Sequence, residues 1–282
     1  MTAAEFASGK GHRDENFPVA SWLVRRELRA PILAFYRFAR AADDVADHPQ
    51  AGERQKLDQL ARMEAALRGD ADANEEGAAL RAVLQERGVT DQHALDLLEA
   101  FRRDVITRRY ADWSELMDYC RYSASPVGRF VLDVHGEPRT LWPANDALCT
   151  ALQVINHLQD CGKDYRALDR VYIPIDALAA QGETVEALSA AQASPGLRRT
   201  IEALAHRTSG LLEQSRAFAG GITDRRLALE VGVIQALAEN LVGRLMRRDP
   251  LSQRVHHRPI EAIGLSLRGA FGVTLGWIGG RA

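Results

Sequence analysis

This 282-residue sequence predicts an all-α protein, and three observations carry that expectation. Apolar residues recur at helical spacing along nearly the whole chain. No segment shows the strict apolar–polar alternation of a half-buried strand. Two segments, AFYRFARAADDVADHP at 34–49 and NDALCTALQVINHLQDCGKDY at 145–165, each join an apolar helical face to a file of polar side chains. No internal repeat and no shift in composition marks a boundary. A single domain over residues 1–282 is expected, with residues 1–14 flexible.

Taken in order, Pro18 to Glu27 reads as a first helix. Pro31 opens the second, since the first turn of a helix has no use for the N–H that proline lacks. Phe35, Tyr36, Phe38, Ala39, Ala42 and Val45 give that helix a wide apolar face. His48-Pro49 ends it, because the residue before proline is biased away from the helical region. Gly52 to Leu67 is amphipathic, and GDADANEEG at 69–77 is a surface loop. Helices are expected at 77–87 and 91–109, with Gly88 as stop and Thr90-Asp91 as cap. Trp113 to Val134 forms a helix kinked near Pro126. His135 to Pro143 is a turn-rich connector to the Asn145 helix. Arg166 to Pro174 loops back toward that helix, and residues 181–195 form a flexible surface segment. Long helices follow at 195–219 and 224–248, parted by Gly220-Gly221, and a last one begins near Ile260.

Composition excludes several classes. Lys plus Arg total 36 against 38 Asp plus Glu, so no basic footprint for nucleic acid is present. Cys120, Cys149 and Cys161 are odd in number and lack CxxC spacing, which predicts reduced thiols in a cytoplasmic protein. The N-terminus shows no apolar core of a secretory signal. No stretch reaches the ~18 apolar residues of a membrane span. Walker, HExxH, GxSxG and GxGxxG motifs are missing.

The chemistry concentrates in the two polar files. Asp43, Asp44 and Asp47 lie near the C-terminal end of their helix, where the macrodipole disfavours anions. Asp43 and Asp47 are also a like-charge i, i+4 pair, costing about 0.2–0.5 kcal/mol. A bound cation reverses the sign of both effects; a solvated acidic helix end is the alternative for this string alone. Asn156, Asp160 and Asp164, at i, i+4 and i+8, place three oxygen-bearing side chains in one row, with Gln159 beside it. A largely apolar helix must satisfy such a file, because burying unpaired charge is prohibitive. Two acidic faces across a cavity would share Mg²⁺, which takes oxygen ligands and is usually completed by water and substrate phosphates.

Basic residues accompany both files. Arg37 and Arg40 precede the first, and Lys163, Arg166 and Arg170 bracket the end of the second. Neutralisation of helical neighbours competes with phosphate binding at each. Arg40 and Arg170 are preferred as phosphate ligands, since guanidinium pairs bidentately with phosphate. Phe35, Tyr36, Phe38, Tyr119, Tyr122 and Phe130 are expected either in the core or along one cavity wall that stabilises positive charge. His157, on an apolar helix, is expected to be a satisfied core histidine.

YRFARAADDVAD, followed about 110 residues later by NHLQDCGKDYRALDRVYIP, resembles the squalene and phytoene synthases, the head-to-head prenyl synthases. The likeness runs from Asn16 to about Pro259. It implies a single-domain isoprenoid synthase helical bundle in which two Asp-rich helices bind Mg²⁺ and diphosphate across a central cavity. By matching position, Asp43, Asp44, Asp47, Asn156, Asp160 and Asp164 would be the metal ligands. Arg40, Arg170 and Tyr172 would contact diphosphate, and Asn16, Gln159 and Lys163 are further substrate-binding candidates.

Two departures bear on the reaction. Condensing members usually carry a serine-lysine-serine-phenylalanine type pattern near the N-terminus, where this chain has ENFPVASWL at 15–23. They also carry an alanine-glycine pair in the central helix, where this chain has YCRYSASPVG at 119–128. Both departures resemble the branch that acts in bacterial hopanoid pathways. The resemblance therefore implies Mg-dependent carbon–oxygen cleavage of presqualene diphosphate, rearrangement, and water capture to hydroxysqualene. Tyr36 and Tyr119 are candidates for positioning that water. The alternative is a presqualene diphosphate or phytoene synthase that condenses two prenyl diphosphates such as farnesyl diphosphate. A reductive synthase would need NADPH, and no nucleotide feature is present. A non-catalytic helical partner is opposed by the retention of every carboxylate in both files. Expected partners are the substrate, enzymes upstream and downstream in the pathway, and the inner membrane face. For the last, Arg247, Arg248, Arg254 and Arg258 with the tail from Ile260 to Ile278 could attach peripherally; a helix that simply covers the core is the competing reading.

Overall fold

A computed structural model describes residues 25–279 of the chain. The expected flexible stretch 1–14, ENFPVASWL at 15–23, Asn16 and the start of the first predicted helix lie outside the described residues. Those residues form twelve α-helices and short 3-10 turns, and among them β pairing is limited to one isolated bridge between Arg109 and Val171. They fall into two compact units, the first ending at Thr107 but including 126–139, the second made of 108–125 and 140 onward.

The first unit holds α1 (Arg26–Asp47), α2 (Glu53–Arg68), α3 (Glu75–Arg87), α4 (Gln92–Ile106) and all but the first residue of α6 (Ser125–His135). α1 begins five residues before Pro31, not at it. Pro31 cannot donate to the Glu27 carbonyl, and the Arg87 guanidinium takes that carbonyl at 2.7 Å instead. A long-range partner therefore restores what the ring removes. α3 starts at Glu75, inside the expected loop, because the Asn74 side chain accepts from the Gly77 N–H at 2.8 Å and caps it. Gly88 stops α3 in the left-handed conformation, φ 64°. Phe35, Phe38 and Val45 of α1 share a core with Leu60, Met63, Leu80, Leu97, Leu98 and Phe130. Burying each such side chain contributes about 1.5–3 kcal/mol.

The second unit is built on α7 (Trp142–Leu168), which packs against α5 (Trp113–Ser123), α9 (Pro195–Ser215) and α11 (Arg225–Leu245). Leu148, Ala151, Val154, Ile155 and Leu158 are its buried stripe. The predicted Trp113–Val134 helix is two helices, α5 and α6, broken at Ala124. Pro126 falls at the second position of the new helix, where its missing N–H costs nothing. The segment 181–195 is anchored by a 3-10 turn, Val185–Ser189, whose Leu188 is fully buried. The remaining helices are α8 (Ile175–Ala179), α10 (Phe218–Gly221) and α12 (Pro259–Gly279).

α12 lies tightly on α11. A Cβ on Gly269 would come within 2.5 Å of the Gly232 carbonyl oxygen, so only glycine permits this approach. Its other face carries Ile260, Ile263, Leu267, Phe271 and Leu275, all between 51% and 83% exposed. No described helix is long and apolar enough to cross a membrane.

Candidate active site

The first acidic group closes α1 in the first unit. Arg40, one turn earlier, reaches two of its members, with Nη1 3.0 Å from Asp43 and Nη2 2.8 Å from Asp44. Lys56 of α2 donates to the Ala46 carbonyl at 2.9 Å, setting a cation at a helix end that has no basic residue of its own. α4 contributes a carboxylate that the sequence reading missed, the buried Asp104. Surrounding protein first, then repulsion from Asp47, pushes the Asp43 carboxyl up to about 7, against the pull of Arg40 and with Asp104 and Asp44 adding to the rise. Asp104 follows His93, Leu97 and Ala100 on the buried face of α4, so an acid on an apolar stripe was the available signal. Tyr36 is half-buried on α1, and Arg37 is exposed.

The second row sits on α7 in the second unit. Asn156, Asp160 and Asp164 are each half-buried, and the exposed Lys163 lies 3.8 Å from Asp160. Gln159 is buried, 6% exposed, and neither atom of its amide meets a hydrogen-bond partner. α7 ends on Asp169 in the left-handed conformation, φ 52°. Its N–H donates to the Tyr165 carbonyl at 3.1 Å, and the Arg170 N–H to Asp164 at 3.4 Å. This double closure ties the backbone of Arg170 to that of the last acidic residue.

A clamp absent from the sequence reading holds that turn. The expected 91–109 helix stops at Ile106, and Arg108 to Ala111 run extended beside 168–176. The Val171 N–H donates to Arg108 at 2.9 Å, that of Ile175 to Tyr110 at 3.0 Å, and that of Asp176 to Ala111 at 3.0 Å. Arg108 donates to the Leu168 carbonyl at 2.8 Å, and Arg109 to the Asp169 carboxylate at 2.6 Å. The clamp thus fixes the short stretch that carries Arg170, 5% exposed, and Tyr172.

Around Tyr172 the clamp assembles an aromatic group. His157 stacks on Tyr172 at 3.6 Å and 14°, Tyr110 at 5.7 Å, and Tyr119 lies 5.5 Å away. Burial, helped by the Arg170 charge, pushes the His157 imidazole down to about 3, so it is neutral. His157 is buried as expected but not satisfied, since its Nε2 finds no partner. Of the two readings for the aromatics, Phe35, Phe38 and Phe130 take the first, as core residues of the first unit, with Phe35 stacked on Phe130 at 4.0 Å. Tyr122 is held by the Arg121 guanidinium, 4.7 Å over its ring. Tyr110 belongs with Tyr119 and was not foreseen. The three cysteines are free, and burial pushes Cys161 up to about 12.

Every ligand atom the two rows offer in common is an oxygen, and burial first, with the neighbouring carboxylates second, raises the Asp43 carboxyl. Among the described residues no three of His, Cys, Asp and Glu are gathered tightly enough to chelate a metal alone. The oxygen-only donor chemistry is of the kind that suits Mg²⁺, whose remaining positions water and substrate phosphates usually fill.

The family model for squalene/phytoene synthase matches residues 11–261. The chain belongs to the squalene/phytoene synthase family. It is 56% identical to a hydroxysqualene synthase of Zymomonas mobilis subsp. mobilis over 274 residues, covering 96% of this chain and 92% of that one. It is 55% identical to a hydroxysqualene synthase of Rhodopseudomonas palustris, covering 93% and 90%. Among solved structures, a squalene synthase from Alicyclobacillus acidocaldarius superposes with a TM-score of 0.73 at 32% identity, covering 87% and 92%. The expected isoprenoid synthase helical fold and the family resemblance are both borne out.

Proposed function

We propose that this enzyme of the squalene/phytoene synthase family takes in presqualene diphosphate, ionises it, and captures the rearranged cation with water, giving hydroxysqualene and diphosphate. The observation that carries the reading is the 56% identity to a protein of that name along 96% of the chain. Both acidic files lie within the matched span. Mg²⁺, when bound by Asp43, Asp44, Asp47, Asn156, Asp160 and Asp164, supplies charge stabilisation for the departing diphosphate. Arg40, Lys163 and Arg170 add fixed positive charge toward the same group, and Gln159 and Tyr172 contribute hydrogen-bonding groups. The tyrosine group presents ring faces to developing positive charge. Asn16 is retained as a substrate contact from the resemblance. Tyr36 and Tyr119 remain candidates for ordering water.

Substrate and product are long hydrocarbons, so delivery from a membrane surface accompanies this reading. The exposed apolar face of α12, with the exposed Arg254, Arg258 and Arg268, suits a peripheral contact with anionic lipid on the cytoplasmic side. Enzymes that make the substrate and consume the product would share that surface.

Product analysis after incubation with presqualene diphosphate and Mg²⁺, without reductant, tests the reaction. A C30 alcohol with one diphosphate released is expected. Formation of presqualene diphosphate or phytoene from two prenyl diphosphates, with presqualene diphosphate left intact, would assign the chain to the condensing members.

A further inference from the structure

The proposed reaction needs one water at the cation, and Tyr36 and Tyr119 stand only as candidates for ordering it. The second unit contains a buried polar atom without a task. His157 is 8% exposed, and its Nε2 has no hydrogen-bond partner. Leaving such an atom buried and unmade costs about 1–3 kcal/mol, so it calls for an occupant. The ring is held flat against Tyr172 at 3.6 Å, with Tyr119 6.0 Å away and itself 5.2 Å from Tyr110. His157 precedes Asp160 by three positions and Asp164 by seven, so it shares their side of α7. The stacked ring and its tyrosine neighbours, with Nε2 buried and unmet, therefore stand beside the row read as holding diphosphate.

We propose that His157 Nε2 holds the water that captures the carbocation, the tyrosines excluding other solvent. This rests on the reaction proposed above. A water hydrogen-bonded at Nε2 presents an oxygen lone pair away from the ring. Cleavage of the carbon–oxygen bond sends its electron pair to diphosphate. After rearrangement the water lone pair forms the new carbon–oxygen bond, and the proton lost from that oxygen passes to the released diphosphate. No oxidant or reductant enters. Gln159, the other buried group whose amide is unpaired, is the rival holder.

The test follows product partition. His157→Phe keeps a stacked ring and removes the acceptor. Presqualene diphosphate consumption should stay within about threefold of the parent, while the alcohol fraction falls at least about tenfold in favour of olefins formed by proton loss. His157→Gln should recover part of the alcohol. An unchanged alcohol fraction in His157→Phe, or a collapse of it in Gln159→Leu alone, overturns the assignment. Should His157→Phe fail to fold, a crystal structure of the wild-type chain with an unreactive prenyl diphosphate decides. A water about 3 Å from Nε2 is expected; a dry gap there refutes the proposal. If wild-type protein makes no alcohol at all, the reaction reading fails and the assignment with it, whereas an alcohol fraction unchanged in His157→Phe overturns the assignment alone.

Discussion

The acidic end of α1 and the acidic end of α7 carry similar side chains and are built on opposite principles. On α1 the carboxylates are crowded. Arg40 spans two of them, Lys56 caps the helix end, and Asp43 holds its proton far above the ordinary 3.8. On α7 the donors are spaced by whole turns, and precision comes from the chain beyond them. The left-handed Asp169, the Arg109 clamp and the closure of Arg170 onto Asp164 set where the next side chains stand. The first end stores electrostatic tension, which a bound cation would relieve. The second stores position.

Carboxylate removal should break both ends as sites but only one as a source of tension. Asp43→Ala and Asp160→Ala should each lower diphosphate release by about 10²–10³-fold. Without metal, Asp43→Ala should melt higher than the parent, since a repulsive neighbour is gone, and Asp160→Ala should melt close to it. Unchanged turnover in excess chelator would contradict the metal reading of both rows.

Arg109→Ala attacks position alone. It frees Asp169, loosens the stretch carrying Arg170 and Tyr172, and should reduce turnover about tenfold through misplacement. Its melting temperature should drop by roughly 2–4 °C for each kcal/mol lost. Arg37→Ala, at an exposed site on α1, should do neither. Equal behaviour of the two variants would remove the clamp from the account.

α12 offers a weaker effect outside both rows. Leu267→Ser with Phe271→Ser should lower the fraction floating with anionic liposomes severalfold and leave turnover in detergent unchanged. Equal flotation would make the exposed face irrelevant to membranes.

The smallest effect is the pH dependence of the metal-free protein. Asp43 is raised to about 7, so between pH ~4 and ~7 the folded chain keeps a proton the unfolded chain has released. Stability from this group is therefore present at low pH and lost as pH rises through 7. Asp43→Asn should flatten that part of a melting-temperature curve recorded in chelator, and a curve that keeps its slope would show the tension lies elsewhere.

Much of this was legible from local signals. Gly88 and the periodicity of α2, α9 and α11 placed those helices, and the two carboxylate files announced the site. What escaped was nonlocal. Pro31 marks a helix start only if nothing else takes the Glu27 carbonyl, and Arg87, 60 residues away, takes it. Arg108 and Arg109 look like the end of a helix until their partners at 168–171 are known. Phe35, Phe38 and Phe130 satisfy core and cavity patterns equally, and packing decided for the core. Asp104 was within reach of sequence reasoning, since it interrupts an apolar stripe.

Water is the terminating nucleophile of the proposed reaction, and isotopic labelling tests that most directly. Presqualene diphosphate turned over with Mg²⁺ in ¹⁸O-water should give hydroxysqualene carrying the label in its hydroxyl, with diphosphate released in equal amount. An unlabelled alcohol, or a product with no oxygen at all, would contradict it.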